Sequence, residues 1–220
     1  MKKLILFDLD GTLTESGEGI IKSVQYALKK MGKPEPEMQK LRVFIGPPLL
    51  EQFMKYADMS EKEAKIAVSY YRERYSSIGI FENRPYPGIK EMLETLKENG
   101  FLLAVASSKN EESVMRVLEH FNIRECFDEA VGSEMNGKRS GKAEVIEEAL
   151  RRLDRSDNRD QVIMVGDKEH DVIGAKEAGI PCVAVAYGYG TMAELEAAEP
   201  LRIVHTVKEL QEYLLLSQTV

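Results

Sequence analysis

Residues 4–14 read Leu4-Ile5-Leu6-Phe7-Asp8-Leu9-Asp10-Gly11-Thr12-Leu13-Thr14. The apolar run before Asp8 has the length and composition of a buried strand. Two carboxylates follow it with one leucine between them, and carboxylates this close repel each other unless a cation or a shared proton relieves them. Carboxylate oxygens suit Mg²⁺, and an aspartate can also attack phosphorus. The segment therefore predicts a strand that ends at a metal site, with an acidic loop that has no chemistry as the alternative.

The composition is that of an ordinary globular chain. Hydrophobic residues make up 43% of the 220 positions, which is enough to bury a sizeable core. The net charge of −7 disfavours a nucleic-acid partner, and no basic stripe counters it. No apolar stretch approaches the length that spans a bilayer, so we expect no membrane partner. Cys126 and Cys182 form no disulfide framework, which favours a reducing compartment and predicts a cytoplasmic protein.

The pattern of apolar residues divides the chain into two domains. Residues 15–82 show helical periodicity only, including a capping box at Ser60-Glu61-Lys62-Glu63. From residue 83 onward, short apolar runs alternate with helical patterns, which is typical of a parallel sheet covered by helices on both faces. The strand near residues 3–8 belongs to that sheet. We predict an α/β core with a doubly wound, mainly parallel sheet, formed by 1–14 and 83–220 and interrupted by an all-helical domain at 15–82.

Polar residues follow three of the predicted strands. The run ending at Ala106 is followed by Ser107-Ser108-Lys109-Asn110, and the run ending at Val165 is followed by residues 166–171, with Asp167 and Asp171 among them. Ligands bind at the carboxyl ends of strands in parallel sheets, so these groups should meet Asp8. Asp167 and Asp8 would complete a magnesium shell. Ser107 and the amides at Ser108 and Lys109 would bind phosphate oxygens.

A positive group for a phosphate is expected just before the helix that begins near residue 142. Lys142 stands at this helix start against the usual preference, because the helix dipole disfavours a cation there. A residue placed against its local preference often has a functional reason. Lys142 is therefore the first candidate and Arg139 the second, with a solvated basic loop as the alternative.

These residues match, in order and spacing, the motifs of the haloacid dehalogenase-like (HAD) hydrolases. Asp8 and Asp10 resemble motif I, Ser107 motif II, Lys142 motif III, and residues 166–171 the GDxxxD of motif IV. The helical insertion after motif I resembles the cap domain of the phosphoglycolate phosphatase-like branch. The chain is similar to a bacterial subgroup whose members are often labelled phosphoglycolate phosphatase or 5'-nucleotidase. The resemblance implies a Rossmann-like core with an inserted cap.

The resemblance also implies roles for individual residues. Asp8 would attack phosphorus and form an aspartyl-phosphate, and Asp10 would protonate the leaving alkoxide and then activate water. The presence of Asp10 argues for an oxygen leaving group, since a halide needs no acid. Two further groups of residues are expected to bind Mg²⁺ and phosphate: the metal ligands Asp8, Asp10, Asp167 and Asp171, and the phosphate ligands Gly11, Thr12, Ser107, Ser108 and Lys142.

The activity implied is a Mg²⁺-dependent phosphomonoesterase acting on a small phosphorylated metabolite, phosphoglycolate or a nucleoside 5'-monophosphate. Two alternatives stay open: a phosphotransferase of the β-phosphoglucomutase type, and a non-catalytic binding module that kept the fold. Arg42, Phe44 and Gly46 in the cap are expected to face the substrate. A packing role for Arg42 and Phe44 is the equal alternative.

Overall fold

A computed structural model describes residues 3–135 and 138–216 of the chain. It divides into two compact units. One unit runs from Glu15 to Arg84, and the other contains the described residues up to Thr14 and from Pro85 onward. The helical unit therefore ends at Arg84, two residues beyond the predicted boundary. Within the described residues, every helix is too short or too polar to cross a lipid bilayer.

The larger unit contains one parallel sheet, as predicted, and the sheet has six strands in the described residues. The bounds are β1 Leu4–Phe7, β2 Leu102–Asn110, β3 Glu129–Ser133, β4 Val162–Gly166, β5 Cys182–Val185 and β6 Arg202–Val204. Their order in the sheet is β3-β2-β1-β4-β5-β6, so after β3 the chain crosses to the other side of β1 to form β4. Phe7 pairs with Val105 on one side and Val165 on the other, which brings three strands level beyond β1.

The first strand is apolar throughout because both of its faces are covered. Leu4 and Leu6 belong to a buried cluster with Val145 and Val172 from the connecting helices. Ile5 and Phe7 point to the opposite face, since side chains alternate along a strand. They are also fully buried. A continuous apolar run is therefore the pattern of a central parallel strand, as the sequence indicated.

Helices connect the strands. The bounds in the larger unit are α4 Ile89–Glu98, α5 Glu111–His120, α6 Lys142–Arg152, α7 Glu169–Glu177, α8 Met192–Ala198 and α9 Val207–Leu216. The sequence pattern missed β6 and α8. β6 has only three residues, of which Arg202 is exposed, and α8 has seven, so neither offers enough positions for a period to show.

The smaller unit is helical, as the periodicity predicted. Its helices are α1 Gly17–Lys30, α2 Leu49–Ala57 and α3 Glu61–Tyr75, with short 3₁₀ turns at Met38–Phe44 and Gly79–Phe81. The predicted capping box begins α3: the Ser60 hydroxyl accepts from the Glu63 amide at 3.4 Å, and the Glu63 carboxylate accepts from the Ser60 amide at 2.9 Å. This reciprocal pair satisfies two amides that the first helical turn cannot.

Candidate active site

Asp8 and Asp167 follow β1 and β4, the two neighbouring strands at which the strand order reverses. Asp8 comes directly after β1, and its amide donates to the carbonyl oxygen of Val165 in β4 at 2.9 Å. Asp167 comes directly after β4. Chain connections leave such a switch point in opposite directions and open a crevice beyond the strand ends, where α/β proteins bind their ligands.

Three buried carboxylates meet in this crevice. One oxygen from each of Asp8, Asp167 and Asp171 lies within 4.8 Å of the others. Burial raises the pKa of Asp8 and holds the pKa of Asp167 well above its ordinary value. The negative charge of Asp171 raises both pKa values further. Like charges kept this close and this dry require a cation.

Lys142 supplies one positive charge to this cluster. Its Nζ lies 2.9 Å from Oδ1 of Asp8 and 2.8 Å from Oδ1 of Asp171, and it donates to the Ala106 carbonyl oxygen at 3.1 Å. Burial alone would lower the pKa of Lys142, but Asp171 and Asp8 together outweigh burial and raise it. The ammonium group is therefore charged at neutral pH. Its place at the first residue of α6 is explained by these two partners.

Arg139, the second candidate for the cation, lies in a different set of ion pairs. Its guanidinium is 3.0 Å from Glu111, 3.6 Å from Glu148 and 3.7 Å from Glu134, and it donates to the carbonyl oxygen of Gly132. These contacts hold the loop that precedes α6. Of the two candidates, only Lys142 reaches the carboxylates at the strand ends.

Asp171 anchors its neighbours as well as contributing an oxygen. Oδ2 accepts from the backbone amides of Asp167 and Lys168, both at 3.0 Å, while Oδ1 faces Lys142. It is the third residue of α7, where the free amides and the helix dipole favour a negative charge. One side chain thus fixes both the backbone of Asp167 and the position of the lysine.

The loop after β5 holds the Asp167 carboxylate, a contact that sequence reasoning missed. The Tyr189 amide donates to Oδ2 of Asp167 at 2.7 Å, and the Tyr187 hydroxyl donates to the Thr12 carbonyl oxygen at 3.0 Å. A Cβ on Gly188 would lie 2.5 Å from that Oδ2 and 2.5 Å from the carbonyl oxygen of Gly11. The available signal was Gly188-Tyr189-Gly190 at a strand end, where a glycine often marks close backbone approach.

Gly11 and Thr12 have contacts other than the predicted phosphate. The Gly11 amide donates to the Thr14 carbonyl oxygen at 2.7 Å, and the Thr12 amide donates to the Leu9 carbonyl oxygen at 3.4 Å. The Thr12 side chain is fully buried and donates to Oδ1 of Asp167 at 3.4 Å. Gly11 has a φ of 90°, and any side chain there would overlap the Asp167 carboxylate. Both residues shape the loop around Asp167. Phosphate binding by Gly11 and Thr12 stays a prediction.

Asp10 lies beside the cluster rather than in it. Oδ2 of Asp10 forms an ion pair with Nζ of Lys109 at 2.6 Å. Asp10 does not belong to the cluster of three carboxylates that are close enough to bind one metal ion. The prediction that its side chain binds the metal is therefore not supported by this geometry. Oδ1 of Asp10 is buried and has no hydrogen-bond partner. The sequence analysis assigned a role only to the backbone amide of Lys109, not to its ammonium group.

Ser107 and Ser108 stand at the irregular end of β2. The pairing of β2 with β3 shifts register between Ala106 and Asn110, and such bulges redirect side chains. Ser107 is buried, and its hydroxyl accepts from the Lys109 amide at 3.3 Å, while Ser108 is half-buried. The strand end thus carries two hydroxyls near the carbonyl oxygen that holds Lys142. Phosphate binding by these two serines stays a prediction.

The three predicted cap residues differ in their surroundings. Phe44 is buried within the helical unit, and its ring centre is 4.9 Å from that of Phe53 and 5.3 Å from that of Tyr56. Those are contacts of a packing residue, so the substrate role is not supported for Phe44. Arg42 and Gly46 are exposed, and their substrate role stays a prediction.

The charges of the site fit a divalent cation. In the ionised forms that a bound cation would favour, Asp8, Asp10, Asp167 and Asp171 bring four carboxylates, and Lys109 and Lys142 bring two ammonium groups, which leaves two negative charges. The donor atoms are all oxygens, which suit a hard cation such as Mg²⁺ or Ca²⁺ better than a thiolate-seeking metal. The cluster of Asp8, Asp167 and Asp171 can therefore hold a metal ion.

Replacing Gly188 with alanine tests how closely this loop packs on Asp167. We expect a loss of about 1–3 kcal/mol in the free energy of unfolding, because the new Cβ overlaps buried atoms. Displacing Asp167 should also weaken binding of a divalent cation. The measurement is the rise of the thermal midpoint when the cation is added, which should be smaller than in the unsubstituted chain. Gly32→Ala is the control: its φ is 72° and no atom stands within 4 Å, so it costs stability without touching the cation response. An unchanged cation response in Gly188→Ala would refute the role of the loop.

An open parallel sheet with buried aspartates at its switch point and a buried lysine beside them defines an α/β protein with a candidate site for a metal ion. The chain belongs to the haloacid dehalogenase-like hydrolase family, whose model matches residues 5–185. Family membership confirms the predicted resemblance, and the sheet confirms the predicted fold.

Three similar proteins carry more specific names. The chain is 42% identical to a 5'-nucleotidase from Pseudomonas aeruginosa, over 96% of this chain and 94% of that one. It is 38% identical to the tyrosine-protein kinase PtkA of Mycobacterium tuberculosis, over 96% of this chain and 72% of that one. A crystal structure of a predicted phosphatase from Clostridium acetobutylicum superposes with a TM-score of 0.94 at 43% identity, over 98% of this chain and 99% of that one. The predicted enzyme class, a phosphatase among the HAD hydrolases, is confirmed.

Proposed function

We propose that the chain is a Mg²⁺-dependent phosphomonoesterase that works through an aspartyl-phosphate on Asp8. The observation that carries the proposal is the position of the Asp8 carboxylate. It lies 2.9 Å from the buried Lys142 ammonium and belongs to a cluster of three carboxylates close enough to bind one metal ion. A nucleophile flanked by a fixed cation can approach a phosphate dianion that would otherwise repel it. Mg²⁺ bound by Asp8, Asp167 and Asp171 would neutralise phosphoryl oxygens further.

The two steps assign protons and bonds to this chain's own residues. A carboxylate oxygen of Asp8 forms a bond to phosphorus while the bond from phosphorus to the alcohol oxygen breaks, and Asp10 gives that oxygen its proton. Water then attacks phosphorus, Asp10 takes a proton from the water, and the Asp8–phosphorus bond breaks to release phosphate. Lys142 keeps its proton throughout and balances the charge of the phosphoryl group. Ser107 is proposed to donate its hydroxyl to a phosphoryl oxygen.

A nucleoside 5'-monophosphate is the substrate we propose first, and phosphoglycolate second. The 5'-nucleotidase of Pseudomonas aeruginosa supports the first, because it matches nearly the full length of both chains. A screen of nucleoside monophosphates and small phosphorylated acids, scored by released phosphate, tests the choice. We also infer a cytoplasmic location, which the free and buried state of Cys126 and Cys182 supports.

A phosphotransferase is the second candidate function, since one relative is named a tyrosine-protein kinase. It would share the first step and differ in the second, where a hydroxyl of another molecule rather than water attacks the aspartyl-phosphate. Product analysis separates the two: hydrolysis yields one free phosphate per alcohol released, whereas transfer yields a phosphorylated acceptor in its place.

Removal of Mg²⁺ tests the metal directly. With EDTA we expect phosphate release to fall about 100-fold or more, because the phosphoryl charge loses its metal partner. Mg²⁺ should restore the rate and Ca²⁺ should do so poorly, since Ca²⁺ prefers a larger and looser oxygen shell. A second readout is independent of activity: Mg²⁺ at ~100 times its Kd should add about 2.7 kcal/mol to the free energy of unfolding. Full activity in EDTA, with no thermal shift on adding Mg²⁺, would refute metal dependence.

A further inference from the structure

Lys109 and Asp10 form a buried ion pair that joins two strand ends. Nζ of Lys109 lies 2.6 Å from Oδ2 of Asp10, and their side chains are only 7% and 11% exposed. The two residues are separated by 99 positions in the chain. Charge-assisted hydrogen bonds of this length are stronger than neutral ones, and water competes little for a pair this well covered.

The pair leaves the two oxygens of Asp10 in different states. Oδ2 accepts from Lys109, whereas Oδ1 is buried and has no hydrogen-bond partner. A carboxyl group turns about a single bond, so holding one oxygen also sets the direction of the other. A buried oxygen without a partner costs free energy, which indicates a group that is completed when a ligand binds.

The charges around Asp10 give Lys109 a second effect. Asp10 stands two residues after Asp8, in the same loop beyond β1. Lys142 is already shared between Asp8 and Asp171. Lys109 therefore contacts Asp10 instead, and its hold on Oδ2 keeps the Asp10 carboxyl group from turning away from the other acids while Oδ1 is left to carry the proton.

We propose that Lys109 is a positioning residue, which holds Oδ2 of Asp10 so that Oδ1 meets the oxygen of the leaving group. The role rests on the proposed phosphatase function, because it assumes that Asp10 gives a proton to that oxygen. A positioned acid and its acceptor must come within hydrogen-bond reach, about 2.6–3.2 Å between heavy atoms. Lys109 achieves this without touching the substrate.

The proposal differs in its consequences from direct phosphate binding by Lys109. A leaving group that is stable as an anion, such as 4-nitrophenolate, departs with little help from an acid. A poorer leaving group, such as phenolate, needs the proton. Loss of a positioning residue for the acid must therefore slow phenyl phosphate more than 4-nitrophenyl phosphate. Loss of a phosphate ligand would slow both esters equally, since their phosphate groups are identical.

The experiment compares kcat/KM of Lys109→Met on these two esters, because kcat/KM reports the step in which the ester bond breaks. With the full chain and Mg²⁺, we expect the loss on phenyl phosphate to exceed the loss on 4-nitrophenyl phosphate by about tenfold or more, out of the 10²–10⁴-fold that acid catalysis contributes. Lys109→Arg should recover part of the difference. Lys208→Met is the matched control, with a side chain that is 86% exposed, and it should match the unsubstituted chain on both esters.

A double variant makes the test independent of any loss of stability. In Asp10→Asn the acid is absent, so adding Lys109→Met should lower kcat/KM by less than about threefold, as for residues that act as one unit. The double variant also leaves no unpaired buried charge, and its thermal midpoint should exceed that of Lys109→Met. Equal losses on both esters, or a full Lys109 effect in the Asp10→Asn background, would overturn the proposal. If the unsubstituted chain releases phosphate from neither ester, the proposed function is overturned, and the role of Lys109 with it.

Discussion

Asp8→Asn is expected to abolish phosphate release, with a loss on the order of 10⁴-fold or more in kcat, since the attacking group itself is removed. An amide of nearly the same shape fills the same space but cannot form the acyl-phosphate bond. It also takes one charge from the carboxylate cluster and so weakens its hold on a divalent cation. The measurement is phosphate release from 4-nitrophenyl phosphate in saturating Mg²⁺.

The same substitution should leave the fold intact, which separates catalysis from stability. Burial and the charge of Asp171 oppose the ionised form of Asp8, and Lys142 keeps Asp171 as a partner when Asp8 is neutral. We therefore expect the thermal midpoint to stay the same or rise. Asp160→Asn is the matched control on an exposed position of the same unit, and it should change neither property. Substantial phosphate release by Asp8→Asn would show that another group is the nucleophile.

The strand-end rule accounts for how much of the site was predictable. Asp8, Ser107 and Asp167 each follow an apolar run, and a parallel sheet brings all such ends to one edge. The rule needs only local pattern, and it brought Asp8 and Asp167 together without any knowledge of contacts. The site role of Ser107 stays a prediction. Lys142 was found by a conflict between its charge and the helix dipole, and its two carboxylate partners resolve that conflict.

The parts that were missed depend on contacts between distant segments. Lys109 stands in a polar run that the rule identified, yet no local pattern states that its Nζ meets Asp10. Thr12 has the polarity of a ligand, but the loop turns its hydroxyl inward to Asp167. The Tyr189 amide carries no side-chain signal at all. Hydrophobic periodicity reports burial and strand ends, whereas orientation beyond the strand ends is decided by packing that only the structure contains.

Lys142→Met is expected to have the second large effect, on both stability and activity. Methionine fills most of the volume but leaves Asp8 and Asp171 buried next to each other without their shared cation. Breaking a buried pair in this way typically costs about 3–5 kcal/mol. Loss of a fixed positive charge at the phosphoryl group should lower kcat by ~10²–10³-fold. Chemical denaturation and phosphate release measure the two effects.

Two comparisons identify the cause of the stability loss. Lys176→Met removes an exposed lysine of α7, 3.3 Å from Glu199, and should cost less than ~1 kcal/mol, as is typical of surface pairs. Adding Asp171→Asn to Lys142→Met removes one of the two stranded charges and should recover part of the lost stability, although not the activity. If the double variant is less stable than Lys142→Met by the full cost of Asp171→Asn alone, the two residues are energetically independent. Lys142 would then stabilise the site through its packing. Only a charge-based role predicts that removing the Asp171 carboxylate restores part of the stability lost with the Lys142 ammonium.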